Sequence, residues 1–175
     1  MSQAVAALVA MTISFVVGTL IAVWYAAPWL RAKPVATALT ALAWVHVFRY
    51  VALLIVAAQA HGVDISDGLR DQIMYGDLAG AALALAAVVT LRMKASLASV
   101  PLWLLVVATV VDLVNAVIGG LREGALETAT DWSWMILTFY VPALWVSIAL
   151  VVWVLITRAR ELKAVGGRSA PAPPS

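Results

Sequence analysis

Five long apolar stretches constrain this chain more than any other feature. They run from about Ala4 to Tyr25, Val35 to Ala60, Ile73 to Leu91, Val100 to Ile118 and Trp134 to Thr157. A helix that crosses a bilayer needs about 20 mostly apolar residues, and each stretch is long enough. Barrel strands are only about 9–11 residues long and alternate in polarity, so a β-barrel is excluded. The pattern predicts an all-α bundle of five transmembrane helices. Composition agrees: 65% of residues are hydrophobic and 11% charged, against about 25% charged in soluble domains. No basic segment precedes the first stretch, which therefore reads as a retained helix rather than a cleaved signal. One transmembrane domain is expected over residues 1–163. Residues 164–175, which end in "GGRSAPAPPS", have the Gly, Pro and Ser content of a disordered tail.

The basic residues predict an orientation. Arg31, Lys33, Arg92, Lys94, Arg158, Arg160, Lys163 and Arg168 fall at one end of the expected bundle, and only Arg70 and Arg122 at the other. The second end collects Asp64, Asp67, Asp71, Glu123, Glu127 and Asp131. The positive-inside rule then places the N-terminus outside and the C-terminus in the cytoplasm. A multi-pass protein of a bacterial inner membrane is expected. Trp132 and Trp134 suit an outer aromatic belt, and Trp24, Trp29 and Trp103 an inner one. The net charge of +2 gives no reason to expect a nucleic-acid partner. The lipid bilayer is the main expected partner, and two copies could pair as a homo-oligomer.

A charge at the centre of a bilayer costs roughly 2.5–3.5 kcal/mol on insertion scales, so each polar group inside a span needs a reason. The second stretch contains "WVHVFRY", with His46, Arg49 and Tyr50 at spacings of three and four that share a helix face. Asp77 lies near the outer end of the third stretch. Thr109, Asp112 and Asn115 follow one another at intervals of three in the fourth. At about 1.5 Å of rise per residue, all of these fall between the midplane and the outer face. Arg49 is therefore expected to pair with Asp77 or Asp112. The small residues Gly76, Gly80, Ala81 and Ala84 would allow a neighbouring helix to approach closely. The candidate ligand-binding residues are His46, Arg49, Tyr50, Asp77, Asp112 and Asn115.

Several chemistries have no support. Cysteine is absent, which removes thiolate nucleophiles and Cys-based metal sites. No phosphate-cradling Gly motif, HExxH, GxSxG or SxxK occurs. No Lys lies inside a span to carry a retinal, and a bis-histidine haem would need a second intramembrane His. No cofactor and no metal are expected. Taken alone, His46 reads as a hydrogen-bonded interior residue and Tyr50 as a packing residue with a polar tip.

The segments "HVFRYVALLI", "YGDLAGAALALAAVVTLR", "VVDLVNAVIGG" and "YVPALWVSIALVVWVL" resemble a group of small, uncharacterised bacterial integral membrane proteins. The likeness covers the second to fifth helices. It implies a five-helix membrane fold, marks His46, Arg49, Asp77, Asp112, Asn115 and Pro142, and brings no activity.

Three functions fit these residues. In the first, an outward-facing pocket among the second to fifth helices binds or moves a small amphipathic or anionic molecule, with Arg49 as fixed positive charge. In the second, an integral-membrane enzyme acts on a lipid or isoprenoid-like substrate, with His46 and Asp112 as acid and base. In the third, the polar layer only holds helices together in a structural or partner subunit.

Overall fold

The computed structural model describes residues 1–94, 97–129 and 131–167. Within them the chain is helical and contains no strand. Five helices are long and apolar enough to cross a membrane: α1 (Gln3–Ala32), α2 (Val35–Ala60), α3 (Asp67–Arg92), α4 (Ser99–Arg122) and α5 (Asp131–Thr157). A short α6 (Ala159–Gly167) follows. Of the expected tail, residues 164–167 belong to α6, and residues 168–175 lie outside the described residues.

The helices overrun the apolar stretches because their ends are polar, and each overrun has a local cause. Ser66 caps α3: its hydroxyl accepts a hydrogen bond from the Leu69 N–H at 3.1 Å, and Asp67 follows in the first turn. A cap of this kind satisfies an otherwise orphaned donor, so α3 begins six residues before Ile73. The fourth apolar stretch ends at about Ile118, yet α4 continues to Arg122. The reversal falls at Gly124, whose φ of 68° is a left-handed conformation that favours glycine.

Two helices pass through a proline without breaking. A wide π turn covers Ala22–Ala26 just before Pro28, and another covers Ile136–Tyr140 just before Pro142. Proline removes one N–H and crowds the carbonyl four residues earlier. A π turn relieves both by shifting the hydrogen-bond register. In α2 the winding tightens instead: Phe48–Leu53 form a 3-10 segment that contains Arg49.

The chain runs up and down, and cross-links mark the two ends of the bundle. At the basic end, Arg158 Nη1 donates to the carbonyls of Leu30 at 2.8 Å and Lys33 at 3.0 Å. At the acidic end, Ser66 donates its N–H and hydroxyl to the Glu123 carboxylate at 2.6 and 2.7 Å. Gln3 Nε2 donates to the Ala129 carbonyl at the same end. Helix α3 packs along α2 and α4, α5 packs against α1, α2 and α4, and α1 is peripheral.

The two halves of the bundle are packed differently. The half toward the basic end is a continuous apolar core, with Leu39, Ala43, Ala84, Leu91, Leu102, Leu105, Val151 and Val154 buried. Toward the acidic end the buried apolar cluster is small, formed by Val63, Ile65 and Leu69. The outer faces carry large apolar side chains, among them Ile13, Val16, Val23 and Trp24 on α1 and Leu104, Val107 and Val111 on α4. Continuous apolar faces of this kind are foreign to the surface of a water-soluble monomer.

Candidate functional site

Arg49 sits at the boundary between the packed half and the looser half. It is fully buried, with no solvent-accessible surface. Three neighbours take up its guanidinium. Nε donates to Asp77 Oδ1 at 2.6 Å on α3, and Nη1 to Thr109 Oγ1 at 2.8 Å on α4. Nη2 donates to Asp112 Oδ2, one helical turn beyond Thr109. Both expected partners are therefore engaged at once, and three helices meet at one cation. Burying a charge is tolerable only when it is paired and hydrogen-bonded, and this arrangement supplies both.

Close approach depends on two glycines one turn apart on α3. A Cβ at Gly80 would stand 2.6 Å from Arg49 Nη1 and 2.8 Å from Cζ, and a Cβ at Gly76 would overlap the Asp112 carboxylate. The guanidinium and the carboxylate thus lie directly on the α3 backbone. This is a small-xxx-small helix face used to admit polar heads as well as a neighbouring helix.

Two expected site residues are elsewhere. Tyr50 is about half exposed, and its ring lies 6.2 Å from that of Phe48 on the outer surface. The cause is the 3-10 winding: at three residues per turn, positions three apart eclipse and a position four apart swings away. Arg49 therefore turns inward as Tyr50 turns outward. Asn115 is also exposed. Each step of three residues falls about 60° short of a full α-helical turn, so the Thr109–Asp112–Asn115 series drifts off the shared face.

His46 is interior but is not held as expected. It has no accessible surface, and neither ring nitrogen has a hydrogen-bond partner among the described residues. Nor does it border the cavity described next.

Above the Arg49 layer, toward the acidic end, lies a cavity of about 220 Å³. All five long helices contribute to its walls, including Leu8 and Met11 of α1, Ile55 of α2, Ile73 of α3, Ala116 and Val117 of α4, and Leu137 of α5. Its polar lining side chains are Asp77, Asp112, Ser133 and Tyr140. Arg49 is not among the lining residues. Tyr140, the last residue of the π turn of α5, also donates its hydroxyl to the Val45 carbonyl at 3.4 Å. The wall from α1 and the place of Tyr140 escaped the sequence reading. Tyr140 belongs to the π turn and lines the cavity together with Ile136 and Leu137 of the same turn. Among the described residues no group of three or more His, Asp or Glu side chains could hold a metal.

A family model described as a domain of unknown function, DUF8737, matches residues 6–156. The chain belongs to the DUF8737 family. Neither a curated protein nor a solved structure matches it. The matched region takes in all four members of the Arg49 layer and most of the cavity wall, so both lie within the DUF8737 domain itself. The resemblance to an uncharacterised group agrees with that membership.

Proposed function

We propose that this protein binds a small amphipathic molecule in the cavity above the Arg49 layer. The observation that carries this reading is the shape and chemistry of the cavity. It is a concave space with largely apolar walls and a few polar groups, of which Asp77 and Asp112 lie at the Arg49 layer, the usual character of a small-molecule site. An apolar body would lie along α1, α4 and α5, with its polar head toward Asp77 and Asp112. The enzyme alternative draws less support, because His46, its second proton carrier, does not border the cavity. The Arg49 layer serves the binding reading as a rigid floor, and it joins the three helices whatever occupies the space above it.

The setting we propose is a bacterial inner membrane, with the acidic end and the cavity outside and the basic end in the cytoplasm. Support comes from the uneven spread of Lys and Arg. The exposed Trp132 at one end and the exposed Trp24, Trp29 and Trp103 toward the other also fit. Lipid chains would cover the apolar outer faces of α1 and α4.

Native mass spectrometry of the detergent-solubilised chain tests the binding reading. The wild type should retain a small molecule, and Ala116→Phe, which puts a ring into the cavity, should lose it while remaining folded. A wild type that never carries or takes up an amphipathic molecule would remove the reading.

A further inference from the structure

Charge is unevenly placed at the floor of the cavity. Asp77 and Asp112 both border the open space, whereas Arg49 lies behind them with no accessible surface. The guanidinium is directed at Asp77, Thr109 and Asp112, so an entering molecule meets carboxylates first. Each carboxylate uses one oxygen for Arg49. Among the described residues, Asp77 Oδ2 and Asp112 Oδ1 accept no hydrogen bond. With both carboxylates ionised, two negative charges face one positive charge. Among the described residues, no Lys, Arg or His lines the cavity to balance the remainder. Apolar walls weaken dielectric screening, and an uncompensated charge in such a place is costly.

We infer that the occupant carries a cationic amine head that rests on Asp77 and Asp112, with an apolar body along the walls. The inference builds on the binding reading above and narrows it to one class of ligand, the alkylammonium compounds. An ammonium group would donate to the two unused carboxylate oxygens. Tyr140 lines the same cavity, and aromatic rings attract cations placed over their faces. An anionic head would have to approach through the carboxylates to reach an Arg49 that has no accessible surface and already donates to Asp77, Thr109 and Asp112. The layer that looks from the sequence like a receptor for anions is, from inside the cavity, acidic.

Three probes with the same chain distinguish the outcomes: octylamine, octanol and octanoate, titrated separately into the full-length protein in lipid nanodiscs. Octylamine should bind about ten-fold or more tighter than octanol, as expected for adding a charged hydrogen bond, and octanoate should bind weakest. Asp112→Asn and Asp77→Asn should each shrink the gap between amine and alcohol, and Ala116→Phe should abolish binding of all three. Equal binding of octylamine and octanol overturns the cationic head and leaves the pocket reading intact. Tighter binding of octanoate overturns it in favour of an anion. No binding of any probe, or binding indifferent to Ala116→Phe, removes the pocket reading and the inference together. The ranking in the wild-type chain decides the matter even if the Asp variants fail to fold.

Discussion

Gly80 lies directly beneath the guanidinium of Arg49, with space for a hydrogen and none for a methyl group: an added Cβ would stand 2.6 Å from Nη1. Arg49 cannot simply lean away, because three partners on two helices hold it. Gly80→Ala should therefore destabilise the protein by about 1–3 kcal/mol, the usual cost of overpacking a filled site, despite the better helix propensity of Ala. Gly18→Ala is the control. Its nearest neighbour is Val146 Cγ2 at 3.6 Å, an ordinary contact, so that change should be neutral or mildly stabilising. Thermal unfolding of both variants in the same detergent measures the contrast.

Removing Arg49 leaves two carboxylates facing each other in a site with little water. Arg49→Met should cost roughly 3–5 kcal/mol, as expected for breaking a buried ion pair from one side. Thr109→Val removes one neutral acceptor and should cost about 1–3 kcal/mol. Combining Arg49→Met with Asp77→Asn and Asp112→Asn removes the stranded charges and should recover much of the loss. Equilibrium unfolding of the single and combined variants tests this. A combined variant no more stable than Arg49→Met would show that the damage lies in packing rather than charge.

His46 offers the opposite expectation. Its buried ring nitrogens have no partner among the described residues, so the ring brings polar atoms inside without return. His46→Phe replaces it with an apolar ring of similar shape and should leave stability unchanged or raise it. A loss above about 2 kcal/mol in unfolding measurements would instead expose a hydrogen-bonding role for the imidazole.

Glu123 sets a pH dependence at the acidic end. Hydrogen bonds from the Ser66 backbone N–H and then from its hydroxyl hold the Glu123 carboxyl below its ordinary value of 4.5. A depressed folded value means that the ionised form stabilises the fold. The contribution is complete above the unfolded value, declines as pH falls below it, and is gone once pH passes beneath the folded value. Protection of the amides around Ser66, measured against their intrinsic exchange rate at each pH, should fall over that acidic window in the wild type. Glu123→Gln should already exchange quickly near neutrality and show little further change.

Arg158 ties the α1–α2 turn to the start of α6 through the Leu30 and Lys33 carbonyls and Glu161. Arg158→Gln should cost about 1–2 kcal/mol, given partial exposure of the ion pair. The loss should appear as faster amide exchange at residues 30–35, with the cavity unaffected.

The five long apolar helices were legible because continuous apolar runs of about 20 residues stand out in the sequence itself. Arg49, Asp77 and Asp112 were legible for the converse reason: a charge in an apolar stretch needs a partner at the same depth. Tyr50 and Asn115 were misplaced because regular α-helical spacing was assumed where α2 tightens and where steps of three drift. The cavity itself was harder to read. It depends on a π turn in α5 and on α1 lying against its side, and neither follows from the order of apolar and polar residues.

Arg49 also precedes both of its anions in the chain, by 28 residues for Asp77 and 63 for Asp112. During synthesis α2 emerges carrying an unmatched cation, and lipid alone is a poor host for it. Its final depth becomes favourable only after α3 and then α4 have been made. In the membrane setting proposed above, the cation thus imposes an order on biogenesis: Arg49 gains its full set of partners only once the fourth helix has been made.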